Sequence, residues 1–149
     1  MIQRLILLAL GIGAGKLLLD IFAAADEEQE DHKHPPINHD FLINQDQEEF
    51  GFSVLKGKIT RAINSIKKES KKFKIGKTGH PGKRMGSHSG FDEMFLLCSS
   101  SDEELINELE SYYTAKYIDD PKNENEKVGS AGDAKTKDGQ YYLYVIVQS

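Results

Sequence analysis

The chain contains no tryptophan, a single cysteine and only four prolines among its 149 residues. A lone thiol, Cys98, excludes an intramolecular disulfide, so the fold must rest on an apolar core. It falls in the run Met94-Phe95-Leu96-Leu97-Cys98 and reads as a packed thiol, not a reactive one. The lack of disulfides suits a reducing compartment without requiring one. A charge-free run long enough to span a bilayer, roughly 20 apolar residues, is also missing. Leu5 to Gly15 carries no charge, but Lys16 and Asp20 interrupt the stretch before Ile21 to Ala25. The string Gly11-Ile12-Gly13-Ala14-Gly15-Lys16 lacks the first glycine and the following Ser or Thr of a phosphate-binding P-loop, which removes that class of nucleotide site. There is no internal repeat.

What is present is sharply uneven charge. The net value is −5, which by itself argues against a polyanionic partner. From Lys56 to Arg84, however, eleven Lys and Arg face one acid, Glu69, whereas residues 26–50 hold nine acids and one Lys. A second acidic block runs from Asp102 to Glu126. Local charge governs phosphate binding, so the acidic average conceals a basic face suited to nucleic acid.

The length predicts one domain plus a tail. Residues 1–25 read as an apolar membrane-anchor or interfacial helix. A cleaved signal peptide is the second reading, because Arg4 precedes the apolar core and Ala23-Ala24-Ala25 resembles a cleavage site. A buried domain helix is the third. These readings place the protein at a membrane or in the cytoplasm, with secretion as the consequence of the signal-peptide alternative. Residues 26–50, acidic and polar with Pro35-Pro36, read as a linker; His32, His34 and His39 have no regular ligand spacing. Residues 51–149 form the folded domain.

Within that domain Leu55, Ile59, Ala62, Ile63 and Ile66 recur at helical period, with Lys and Arg opposite, predicting a basic amphipathic helix over 54–70. Phe73 to Ile75 is a short strand. Gly79-His80-Pro81-Gly82 is a turn into a helix carrying Arg84 and His88. Phe91 to Cys98 is a second strand. Ser101-Asp102-Glu103-Glu104 reads as a capping box opening a helix to about Tyr117, and residues 119–139 as a loop. Tyr141 to Val147 is the strongest strand signal. The expected fold class is α+β: a small three-stranded, mixed or antiparallel sheet flanked by helices, preceded by the apolar helix and acidic linker.

The richest chemistry lies in Phe73-Lys74-Ile75-Gly76-Lys77-Thr78-Gly79-His80-Pro81-Gly82-Lys83-Arg84-Met85-Gly86-Ser87-His88. Cations at a strand end, followed by an Arg and a His four apart on a helix, suit a phosphate and the hydroxyl that attacks it. In these residues the chain resembles the GIY-YIG nuclease family, over roughly its last 80 residues. Lys74-Ile75-Gly76 looks like the second motif with Lys in place of the Tyr before Ile-Gly. Arg84 matches the family's Arg, His88 the position of its His or Tyr, and Lys77 a Lys found in repair members. The first-motif strand, Gly-Ile-Tyr in relatives, does not precede the second motif here. The C-terminal Gly139-Gln140-Tyr141-Tyr142-Leu143-Tyr144-Val145-Ile146-Val147 looks like that strand moved to the other end of the chain, pairing with Phe73–Ile75 and placing Tyr141 in the site. Tyr142 and Tyr144 alternate away from Tyr141 and are expected to pack the sheet.

The resemblance implies an endonuclease that cuts DNA phosphodiester bonds with one divalent ion, Mg²⁺ or Mn²⁺, held by a Glu on the following helix. Glu108 and Glu110 are the candidates. Glu110 lies beside Tyr117 on the border of the apolar stripe and follows Leu109 as the family's Glu follows Leu, so it is chosen. Asn123 or Asn125 could supply the Asn that follows the helix, with Asn123 preferred. Arg84 would clamp the phosphate, Lys77 add a point charge, Tyr141 orient water or take its proton, and His88 serve as an alternative shuttle. Lys67, Lys68, Lys71, Lys72, Lys74 and Lys83 would contact the phosphate backbone. No feature predicts a protein partner. The alternative is a module that binds nucleic acid, or an anionic membrane, without chemistry.

Overall fold

Hydrophobic patterning decides which segment takes the middle of the sheet. A strand that is apolar on both faces must be covered on both, and Tyr141–Gln148 is buried without a break from Leu143 to Val147. It forms the central strand. The computed structural model describes residues 36–86, 90–129, 136 and 138–149, all within one unit, residues 35–149. In chain order the elements are β1 (Ile37–Asn38), β2 (Ile43–Asn44), α1 (Gln45–Glu48), α2 (Phe52–Lys68), β3 (Lys72–Thr78), α3 (Pro81–Gly86), β4 (Glu93–Ser100), α4 (Glu103–Lys116) and β5 (Tyr141–Gln148). The strand order is β1-β4-β5-β3, with β2 also pairing β4. β5 is antiparallel to both β3 and β4, whereas β1 and β2 run parallel to β4.

The fold is thus α+β, but the mixed sheet has five strands, not three. The extra two come from residues 36–50, read from sequence as linker. Acidic composition there masks five apolar anchors, the last of them Phe50. Ile37 and Leu42 pack on one core cluster, while Phe41 and Ile43 pack on the other. The Phe41 ring meets Phe95 edge-on at 5.9 Å, and Asn38 Nδ2 donates to Glu93. The readings of residues 1–25 and of His88 lie outside the described residues. Among the described residues no helix is long and apolar enough to cross a membrane.

Both long helices cover one face. Leu55, Ile59, Ala62, Ile63 and Ile66 of α2 are buried, as their spacing predicts, and Lys67 and Lys68 in its last turn complement the helix dipole. On α4 the buried row is Ile106, Leu109 and Tyr113, continued by Tyr117 at its C-terminal cap, while Tyr112 is 39% exposed. Asp102, not Ser101, caps α4: its carboxylate accepts from the amides of Glu104 and Leu105. The opposite face carries a smaller cluster, Met85, Met94, Leu96, Tyr144 and Ile146, closed by the short helix α3.

Candidate active site

Strand β3 lies at the edge of the sheet, where unpaired backbone groups invite unwanted pairing. The chain covers this edge with its own 122–125 segment. Phe73 donates to the Lys122 carbonyl at 2.9 Å, and Glu124 donates to the Phe73 carbonyl at 2.8 Å. Asn125 continues the ladder with its side chain: its Oδ1 accepts from the Ile75 amide and its Nδ2 donates to the Ile75 carbonyl, both at 2.9 Å. A carboxamide here substitutes for a peptide group. Asn125→Ala should lower stability by roughly 1–3 kcal/mol, because a donor and an acceptor lose their partners. Asn125→Asp should do no better, since a carboxylate cannot donate to a carbonyl; urea denaturation of both variants reads the effect.

The next two residues of β3, Gly76 and Lys77, line a cavity of about 430 Å³. Gly76 stands opposite Tyr144 in the β3–β5 register. A methyl group on Gly76 would lie 2.3 Å from Tyr144 Oη, so the absent side chain is what lets the phenol reach the cavity. Arg84, exposed on α3, enters from the same face of the sheet. Lys77 points to the opposite face, where its Nζ donates to Asn107 of α4. Glu110, one turn beyond Asn107, is 3% exposed and also lines the cavity. The far wall is the 125–129 segment, held to α4 where the Gly129 amide donates to Thr114 Oγ1 at 2.7 Å. One helix face, Asn107, Glu110 and Thr114, therefore fixes β3 on one side and the loop on the other.

Burial, foremost, pushes the Tyr144 phenol up to about 12, with Arg84 opposing and Glu110 adding to the rise. The phenol is protonated at neutral pH.

Of the residues expected from the sequence, Arg84, Lys77, Glu110 and Lys74 are brought together around this cavity. Glu108 is exposed on another face of α4, which separates it from Glu110. Tyr141 does not line this cavity. It pairs with Ser100 at the far end of β5 and packs against the helix-side core. The register that sets Gly76 against Tyr144 puts Tyr144 in the cavity instead. Asn123 is also displaced: its Nδ2 donates to the Tyr117 carbonyl and its Oδ1 accepts from the Asn125 amide, closing the turn after α4. Asn125 lines the cavity in its place. Glu126 and Lys127 line it too, in a loop whose sequence carried no periodic signal.

The predicted basic face is partly neutralised. Lys67 Nζ pairs with Asp120 at 2.5 Å and lies over the Tyr117 ring. Lys72 stands 4.0 Å from Glu124, while Lys68, Lys71 and Lys83 are exposed. The Lys67 hydrogen bond, foremost, holds the Asp120 carboxyl below the usual carboxylate range. A depressed carboxyl stabilises the fold above its unfolded pKa and loses that contribution as pH falls through the folded value. Lys67→Ala should therefore cost about 0.5–1 kcal/mol near neutral pH, fading in acid, while leaving polyanion affinity nearly unchanged. Thermal melts across pH and a binding titration check both parts.

Among the described residues no group of three or more His, Cys, Asp or Glu side chains is placed to hold a metal ion. Glu110 alone still fits a hard cation, because Mg²⁺ is commonly held by one or two carboxylates, with water and phosphate oxygens completing its shell. Comparison of the chain with protein-family models, curated proteins and solved structures found no match.

Proposed function

We propose that the chain is a metal-dependent endonuclease of the GIY-YIG type, hydrolysing phosphodiester bonds in DNA. The observation that carries this reading is the convergence of Tyr144, Arg84, Lys77 and Glu110, from four separate elements, on one cavity beside Ile75-Gly76. The tyrosine comes from the C-terminal strand, antiparallel to Lys74-Ile75-Gly76, which is what a first motif moved along the chain requires.

Arg84, with its planar fork, clamps the scissile phosphate and offsets charge that grows in the transition state. Lys77 adds a point charge from the helix side of the cavity. Tyr144 orients the attacking water by hydrogen bonding. His88, four residues after Arg84 in sequence, is the proposed proton acceptor. Glu110 would hold Mg²⁺ or Mn²⁺, which supplies Lewis-acid polarisation of the phosphate and stabilises the leaving oxygen. Lys74, Lys83 and Lys127 contribute affinity that weakens with salt.

The second reading is a nucleic-acid-binding module without chemistry. It is favoured by Lys74 standing where the second motif carries Tyr. A supercoiled-plasmid assay separates the two. Wild type should nick with Mg²⁺ and not with EDTA. Arg84→Ala should lose roughly two decades of rate while still shifting DNA on a gel. Equal nicking by both proteins contradicts the assignment; binding without nicking by wild type supports the second reading. Binding to anionic vesicles but not to DNA would point to a membrane module.

A further inference from the structure

One stretch of the cavity wall is fastened at both ends. At Asn125 the carboxamide bonds both backbone groups of Ile75 on β3. At Gly129 the amide donates to Thr114 Oγ1 on α4 at 2.7 Å. Thr114 is fully buried, and its hydroxyl donates in turn to the Glu110 carbonyl at 2.7 Å. A β-branched residue is a poor choice for a helix interior, and a buried hydroxyl is costly unless bonded. Here the bond back along the helix uses the hydroxyl proton and leaves a lone pair for the loop. Gly129 has a φ of +70°, and a Cβ there would stand 3.3 Å from Ser111 Oγ, so the fastening favours glycine on the loop side as well. Between the two ends lie three exposed residues, Glu126, Lys127 and Val128, of which the first two line the cavity. Three residues held this way form a ledge with little conformational freedom.

We propose that this ledge is where the site grips the substrate strand: Lys127 binds a phosphate next to the scissile one, and Thr114 is the positioning residue that holds the ledge for it. The substrate is then a polynucleotide strand that continues past the cut, not an isolated phosphodiester. The inference rests on the phosphodiesterase reading and adds to it the length of strand engaged. Arg84 reaches the cavity from α3 and Lys127 from the 125–129 wall, so the two cations address the strand from different elements. A lysine contact to a neighbouring phosphate is a point charge felt equally in the ground and transition states, so it serves binding and not the chemical step. On a loose loop, Lys127 would lose chain entropy at every binding event. The two fastenings remove that cost beforehand. Glu126, on the same ledge, repels phosphate and is the natural control.

Three measurements on the intact chain test this. Hydrogen exchange reads the fastening without DNA: the Gly129 amide should be protected in wild type and Thr114→Ser, and exchange about tenfold faster or more in Thr114→Val. Should Thr114→Val fail to fold, Gly129→Ala releases the same fastening from the loop side. Anisotropy titrations of a labelled duplex, in EDTA so that nothing is cut, read the contact. Lys127→Ala should bind about three- to tenfold more weakly at low salt and flatten the slope of log affinity on log salt by about 0.9, the value for one phosphate contact. Thr114→Val should lose affinity in the same direction, Thr114→Ser should not, and the Lys127→Ala/Thr114→Val double variant should bind no more weakly than Lys127→Ala. Glu126→Gln should bind as wild type or more tightly. Single-turnover cleavage at saturating enzyme should be nearly unchanged in Lys127→Ala, its loss appearing only below saturation. An unprotected Gly129 amide in wild type, an unaltered salt slope in Lys127→Ala, or wild-type binding with the fastening released overturns the proposal. Wild type that binds with these dependences but does not cleave removes the nuclease reading and leaves the ledge as a nucleic-acid contact; wild type that does not bind DNA removes both.

Discussion

Glu110→Gln should abolish Mg²⁺-supported cleavage, lowering the single-turnover rate by about 10²–10³-fold. The substitution is nearly isosteric, so it removes a charge while keeping the volume of a residue that is 3% exposed. A glutamine oxygen is a poor ligand for a hard divalent cation, whereas the carboxylate supplies both charge and two oxygens. The fold should survive, because Ile106, Leu109 and Tyr113 still anchor α4 in the core. Circular dichroism and a thermal melt confirm that point before rates are compared. The matched control is Glu108→Gln on the exposed side of the same helix, which should cleave like wild type. An active Glu110→Gln protein would remove the metal from the account.

Gly76→Ala should be the most damaging single methyl group in the domain. Its Cβ would fall 2.3 Å from Tyr144 Oη and 2.5 Å from Cζ, distances no rotamer adjustment of the methyl can relieve. Tyr144 is 4% exposed and packed with Met85, Leu96 and Ile146, so its ring has no ready retreat. Overpacking of this kind costs about 1–3 kcal/mol. The cost falls on the residue proposed to orient water, so cleavage should drop at least tenfold more than the residual folded fraction explains. Tyr144→Phe in the same background should restore stability only in part, because Cζ still collides after the hydroxyl is gone. Gly82→Ala is the contrasting substitution. Nothing lies nearer than 3.8 Å to its Cβ, and in a helix Ala should be neutral or stabilising by up to about 1 kcal/mol.

Much of the architecture was legible because period and burial agree. The α2 spacing from Leu55 to Ile66 and the apolar block Tyr141–Val147 each admit one reading, and both are realised. Pairing of the C-terminal strand with Phe73–Ile75 was expected from the resemblance, as a first-motif strand moved along the chain, and the two strands do pair. The misreadings have physical causes. Ile37 and Phe41 to Ile43 are too few and too dispersed among acids to register as strands, and they form only by adding to an existing edge. Tyr141 and Tyr144 cannot be told apart by composition. Register separates them by setting Tyr144 against Gly76, whose missing side chain leaves room for the ring. Asn125 rather than Asn123 reaches the cavity because one amide is consumed by the helix terminus and the other by the β3 edge. That distinction exists only in three dimensions.

The central claim is that Arg84 and Glu110 act on one phosphodiester as a single unit. Single-turnover cleavage of a labelled DNA duplex by wild type, Arg84→Ala, Glu110→Gln and the double variant tests it directly. Groups that serve one transition state are not additive, so the double variant should cleave no more than a few-fold slower than the worse single variant. Losses that multiply, or a wild-type rate unaffected by removal of divalent ions, would contradict it.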